Sequence, residues 1–260
     1  MLRRRATGLP AAVLAVISAT APLRAEPCRL ALALGFDVSR SIDAAGYELQ
    51  IGGLIGALFD PEIRAALLAP PAPVALAVYE WSGRRQQRLV RGWTLLRDED
   101  DIDRVARAIA LHPRSYDGLT AVGAALDHGW RLLRRAPACD AQVIDIAGDG
   151  RNNEGPAPAR IYARRDFADI TVNGLAIGGH ESDILHYYAT EVIHGPGAFA
   201  EFAATQAEFA AAFRRKLLRE VEPPRIGALA PRSRAGSGMP QAARSPASPR
   251  SISATVSATP

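Results

Sequence analysis

The sequence predicts an α/β domain: a doubly wound, mostly parallel central sheet with helices on both faces and one antiparallel edge strand. Three observations lead there. Short runs rich in apolar residues at 30–36, 142–147 and 170–177 have the length and composition of strands covered on both faces. Segments of helical periodicity alternate with them from residue 30 to about 221. Two further runs, Val74–Trp81 and Arg88–Leu95, are joined by the polar stretch Ser82–Gln87, which reads as an antiparallel hairpin at the sheet edge.

Taken in order, Leu30–Phe36 is the first strand. Asp43 follows as a helix cap, and Tyr47, Ile51, Leu54, Ile55 and Leu58 recur on one face of the helix it opens. Pro70-Pro71-Ala72-Pro73 breaks the chain before the hairpin. Asp98 opens the next helix, with acids in its first turn and Ile102, Val105, Ala106 and Ile109 as its buried stripe. Thr120 precedes a helix carrying Val122, Ala125, Leu126, Leu132 and Leu133. The strand at 142–147 runs into the loop Gly148-Asp149-Gly150-Arg151-Asn152-Asn153-Glu154-Gly155, followed by a helix near 157–167 and the strand Ile170–Ile177. Segment 180–196 has no clear period. From Gly197 to Val221, the spacing of Phe202, Phe209, Phe213 and Leu217 predicts one long amphipathic helix.

The two ends read differently from this core. Residues 1–25 have a basic start, an apolar stretch at 11–19 and Leu23-Arg24-Ala25, the pattern of a cleaved secretory signal, with an uncleaved anchor as the alternative. No later stretch has the length and hydropathy of a membrane span. The domain is expected over 26–221. From 222 to 260 the composition turns to Pro, Ser, Ala, Arg and Gly without period, as in an unstructured tail. The chain has 31 basic and 27 acidic residues; removing the four arginines of the signal leaves 27 against 27. A neutral mature chain argues against nucleic acid as the partner. Cys28 and Cys139 each lie just before a predicted strand. If those strands are parallel neighbours, both cysteines sit at one edge of the sheet and can pair in an oxidising compartment.

The residues that carry chemistry lie at the opposite edge. Asp37-Val38-Ser39-Arg40-Ser41 follows the first strand, offering a carboxylate and two hydroxyls at alternating positions. Thr120, in Gly118-Leu119-Thr120-Ala121-Val122-Gly123, and Asp149, directly after the strand at 142–147, add two oxygens from other loops. Converging oxygens suit a hard divalent cation, and carboxyl ends of parallel strands are where α/β sheets place ligands. The bland alternative is that the hydroxyls cap helices and the acids make turns.

Asp-x-Ser-x-Ser, then Thr, then Asp in a strand-end loop resembles the metal-ion-dependent adhesion site of von Willebrand factor A domains. Asp37–Asp43, Gly148–Asn153 and Gly195-Pro196-Gly197-Ala198-Phe199 are more specifically similar to a family of exported bacterial A-like proteins, over roughly residues 28–221. The resemblance implies Ser39 and Ser41 as direct ligands, Thr120 as a direct or water-mediated one, and Asp37 and Asp149 acting mainly through water. It also implies Mg²⁺, with Mn²⁺ or Ca²⁺ as alternatives, and a partner protein offering a carboxylate. The expected function is therefore an exported binding module, periplasmic or extracellular, rather than an enzyme.

A metal-dependent hydrolase using the same cation to activate water is the competing reading; neither His112 nor His128 lies in a metal loop to serve as its base. No Gly-x-Ser-x-Gly elbow surrounds the serines, and phosphate-binding glycine loops are missing. His180-Glu181 with His186 and His194 lacks the spacing of a helical zinc motif. Asn152 and Asn153 are candidates for either ligand choice or turn geometry, and Asp145 has no assigned role.

Overall fold

The computed structural model describes residues 27–222 of the 260-residue chain. The expected signal and all but the first residue of the expected tail lie outside them. Strands β1 (Cys28–Asp37), β2 (Val74–Trp81), β3 (Gln87–Leu96), β4 (Cys139–Gly148), β5 (Ile170–Ile177) and β6 (Ala200–Ala203) form one sheet in the order β3-β2-β1-β4-β5-β6. Only β3 is antiparallel, against β2. Successive connections leave β1 in opposite directions, to β2 and later to β4, so the strand order reverses between β1 and β4. That crevice is where a doubly wound sheet offers its ligand site.

Local chemistry sets the helices. Asp43 caps α1 (Ala44–Phe59) by accepting from Gly46 N at 2.7 Å, and Asp98 caps α3 (Glu99–Ala110) by accepting from Asp101 N at 2.9 Å. Asp60, followed by Pro61, starts the short α2 (Pro61–Leu67), which the sequence reading did not separate from its surroundings. Helices α4 (Val122–Leu133) and α5 (Pro158–Tyr162) follow; the latter is shorter than the expected 157–167. The unassigned segment contains α6 (Ile184–Tyr187), continued by a π-helical turn at Tyr188–Val192.

The expected long helix from Gly197 is incorrect. Ala200–Ala203 is instead the edge strand β6, paired with β5 from Gly174↔Ala200 to Ile177↔Ala203, and α7 runs only from Phe209 to Val221. Phe202 sits seven residues before Phe209 and so mimics a helical stripe. It is 39% exposed, whereas Phe209, Phe213 and Leu217 are buried. The open β5 edge decided this: pairing satisfies backbone groups that a helix would otherwise bond internally.

Alternation along β1 divides the core. Leu30, Leu32, Leu34 and Phe36 face α1, α3 and α7 through Leu54, Leu58, Ile102, Phe209 and Phe213. Ala31 and Ala33 face the other side, where Tyr79, Trp81, Val122, Leu126 and Tyr188 fill the space. Each fully buried large apolar side chain contributes about 1.5–3 kcal/mol.

Two further features pin the layers. At the start of β1 and β4, Cys28 and Cys139 are register partners and form a disulfide. Lys216 of α7 is fully buried, with Nζ 2.5 Å from Asp145 Oδ1 on β4 and 2.6 Å from Glu220 Oε1. The Asp145 contact is an ion pair without hydrogen-bond alignment. Asn173 Nδ2 on β5 donates to Glu220 Oε1 at 2.7 Å, and Asn173 Oδ1 accepts from Phe199 N. Burial works against the Lys216 ammonium, but its two carboxylates more than offset this and hold its pKa above the ordinary range. Asp145 thus has a structural place, as one anion of a buried cluster that ties α7 to the sheet.

Candidate metal centre

The five predicted residues come together at the carboxyl ends of β1 and β4. Ser39 Oγ and Ser41 Oγ lie 3.1 Å apart, Thr120 Oγ1 donates to Ser39 Oγ at 3.3 Å, and Ser41 Oγ donates to Asp149 Oδ1 at 2.6 Å. Asp37 ends β1 and is buried. Its Oδ1 accepts from Ser39 N at 2.7 Å, while its Oδ2 is enclosed without a hydrogen-bond partner among the described residues. Gly148 permits the approach: a Cβ there would stand 2.9 Å from Asp37 Oδ2 and 2.7 Å from the Tyr188 hydroxyl, itself buried without a hydrogen-bond partner among the described residues.

The capping alternative does not describe the hydroxyls. Asp43, not a serine, caps α1, and the residue at the N-cap of α4 is Ala121, which offers no side-chain cap. Thr120 Oγ1 turns instead toward Ser39. Asp37 does close a turn onto Ser39 N, which accounts for one of its oxygens only.

Three loops are held in mutual register. Arg40 N donates to Gly118 O at 2.9 Å, joining the Asp37 loop to the Thr120 loop. Asn153 Oδ1 accepts from Thr120 N at 2.9 Å, and Asn152 Oδ1 accepts from Gly123 N at 3.0 Å, joining the Asp149 loop to the same segment. The asparagines therefore do the work of turn and loop geometry. Sequence reasoning missed Arg114 entirely. Its Nη2 donates to the carbonyl oxygens of Val38 (3.0 Å), Ser39 (3.0 Å) and Ile42 (2.7 Å), and its guanidinium lies over the Tyr47 ring. Tyr47 in turn donates to buried Glu80, which also accepts from Ser115 N. An arginine in an uncharacteristic loop carries no sequence signal for such a role.

The electrostatics follow from enclosure. Burial, and then the facing Asp149 carboxylate, push the Asp37 carboxyl up to about 8. Burial raises Asp149 as well, with the Ser41 hydroxyl working against it. Two carboxyls that resist ionising together, one with an enclosed unpartnered oxygen, beside three converging hydroxyls, fit a hard divalent cation. Ser39, Ser41, Thr120, Asp37 and Asp149 are the residues able to hold it. Among the described residues no three His, Cys, Asp or Glu side chains converge as a ligand group, so a cation held here would depend on the hydroxyls. A cavity of about 290 Å³ lies above, bordered by Arg40, Ser41, Thr120, Asn153, His180 and Glu181.

Other clusters do not make a catalytic constellation. Glu80 Oε2 and Ser115 Oγ both approach His112 at the same nitrogen, Nε2, at 3.2 and 3.1 Å; a relay needs the acid and the nucleophile on different ring nitrogens. His194 stacks on Tyr162, and His186 is exposed.

A family model described as Protein of unknown function (DUF1194) matches residues 27–225. The chain belongs to this family. No curated protein sequence matches it significantly. Its fold is that of von Willebrand factor A domains. Von Willebrand factor type A from Catenulispora acidiphila superposes with a TM-score of 0.55 at 17% identity, covering 75% of this chain and 43% of that one. Proximal thread matrix protein 1 from the mussel byssus, in a structure "with zinc occupied MIDAS motif", gives 0.53 at 16%, covering 75% and 46%. The pilus adhesin SpaC from Lactobacillus rhamnosus GG in its open conformation gives 0.54 at 12%, covering 75% and 30%. The DUF1194 chain thus spans less than half the length of these proteins, and the likeness is one of fold.

Proposed function

We propose that this chain is an exported protein-binding module. Ser39, Ser41 and Thr120, backed by Asp37 and Asp149, would hold a divalent cation that docks a carboxylate of a partner protein. The observation that carries the reading is the convergence of Ser39, Ser41, Thr120 and Asp149 from three loops beside Asp37, whose enclosed Oδ2 has no hydrogen-bond partner among the described residues. When bound, the cation would supply an electrophilic position for a partner oxygen. The protein's own part is geometric. Neutral hydroxyls face the cation while Asp149 orients Ser41 and Asp37 orients the Ser39 backbone, so net positive charge is left for the ligand. An all-oxygen donor set favours Mg²⁺, Mn²⁺ or Ca²⁺ over softer ions, and Mg²⁺ is the proposed occupant. The disulfide supports an oxidising, extracytoplasmic destination, periplasmic or extracellular. No helix among the described residues is long and apolar enough to cross a membrane.

Calorimetric titration with Mg²⁺ tests the reading. Saturable binding by the wild-type protein, lost in Asp37→Ala and in Ser39→Ala/Ser41→Ala, is expected; equal weak heats from all three proteins would overturn it. The hydrolase reading has one observation in its favour, the exposed His180 at the rim of the same cavity. Turnover of a generic phosphoester or peptide substrate in Mg²⁺, abolished by His180→Ala, would support it.

A further inference from the structure

The cavity above Ser41 and Thr120 shares Arg40, Gly118 and Leu119 with a neighbouring one of about 390 Å³, whose remaining wall includes Gly83, Arg84, Arg85 and Glu154. Together they form a groove that starts at the cation loops and runs along the β2–β3 turn. Arg40, Arg84 and Arg85 are exposed, and among the described residues none of their side chains enters an ion pair or hydrogen bond. The acids nearby are already engaged: Glu154 accepts from Arg84 N at 3.0 Å, and Glu181 pairs with Arg151.

The turn that presents the two arginines is fixed. Ser82 N donates to Gln86 O at 2.9 Å, Gly83 N to Gln86 Oε1 at 3.1 Å, and Gln87 Nε2 to Gly83 O at 2.7 Å. Ser82 also ties the turn to the cation-proximal segment, through Ser82 Oγ to Leu119 O and Ala121 N to Ser82 O. Gln86 packs directly over Gly118, where a Cβ would stand 1.9 Å from Oε1. A hairpin tip held on so many sides leaves only the arginine side chains, not the backbone, to be ordered on binding.

We propose that the cation site is one end of a longer groove, and that its basic wall, Arg40, Arg84 and Arg85, reads further acidic side chains of the same partner segment. This rests on the cation-docking reading above. The occupant is a protein segment with several carboxylates rather than a nucleic acid. The wall is three arginines beside Glu154 and Glu181, in a chain whose charge outside residues 1–25 is balanced, and so lacks the broad basic field a phosphate backbone requires.

Binding of two fluorescent peptides in Mg²⁺, hexaglutamate and a pentapeptide with one central glutamate among glycines, tests this by anisotropy at low salt. Hexaglutamate is expected to bind about tenfold more tightly, with the margin shrinking as salt is added. Arg84→Gln/Arg85→Gln should remove that margin while leaving single-glutamate binding and calorimetric Mg²⁺ affinity as in the wild type. An unchanged hexaglutamate preference in the double variant would overturn the proposal, as would tighter binding of a short oligothymidine. If the wild type binds no Mg²⁺ but the arginines still set hexaglutamate affinity, the cation reading falls and the basic wall stands.

Discussion

Arg114 donates from Nη2 to the carbonyl oxygen of Ser39 at 3.0 Å, fastening the loop between α3 and α4 to the loop that carries the candidate cation ligands. The same nitrogen also reaches Val38 and Ile42, so one side chain fixes the path of the backbone from 38 to 42. Hydrogen bonds from a charged donor contribute about 1.5–3 kcal/mol each, and misplacing a ligand loop weakens a metal site. Arg114→Met is expected to weaken Mg²⁺ binding by about tenfold or more, with Arg114→Lys recovering part of the loss. Calorimetry reads the affinity, and the metal-free melting temperature separates loop placement from general unfolding.

Asp37 is expected to exchange stability for binding. Its carboxyl is buried, faces Asp149 and is pushed up to about 8, so its ionised form destabilises the cation-free protein. Asp37→Asn should raise the metal-free melting temperature by a few degrees and abolish the rise that saturating Mg²⁺ gives the wild type. Thermal melts in EDTA and in excess Mg²⁺ measure both. A variant that melts lower in EDTA and still responds to Mg²⁺ would contradict the assignment.

The Lys216 cluster makes stability depend on pH. Burial, and then Asp145, raise the Glu220 carboxyl to about 7 from an ordinary 4.5, while Lys216 works in the opposite direction. Between these values the folded state holds a proton that the unfolded chain releases, so stability falls as pH rises from about 4.5 to 7 and levels above. Asp37 acts in the same sense over a window reaching 8 and Asp149 is raised as well, so the Asp37→Asn/Asp149→Asn protein isolates the cluster. In that background, melting temperature should be higher at pH 5 than at pH 7.5, and Glu220→Gln should flatten the difference. Lys216→Met, which leaves two buried acids without a cation, is expected to cost about 3–5 kcal/mol by denaturant unfolding at neutral pH.

The Cys28–Cys139 disulfide closes a sequence separation of 111 residues between register partners. On loop entropy alone it contributes up to about 5 kcal/mol. Cys28→Ser/Cys139→Ser should unfold at markedly lower denaturant concentration with its Mg²⁺ affinity retained, because the bridge lies at the opposite end of β1 from Asp37.

The sequence by itself determined the strand and helix alternation, the antiparallel edge and the loops that meet at the candidate site. Each rests on a local signal. The uncharged run Leu30–Phe36 can only be covered on both faces, Asp43 and Asp98 cap the helices they precede, and a strand must end where Asp37 begins a polar turn. The cysteine pairing was legible for the same reason, since both residues stand at the start of apolar strands.

Tertiary structure decided the rest, because those choices depend on partners distant in the chain. Ala200–Ala203 became a strand only because the edge of β5 was open, overriding the helical spacing of Phe202 with Phe209. Asp145 is tolerable inside a sheet only where Lys216 arrives from α7 to neutralise it. Arg114 has no local pattern at all. Its role exists only once the fold brings the carbonyls of Val38, Ser39 and Ile42 within reach of one guanidinium, where an unpaired backbone oxygen would otherwise be left in a buried loop.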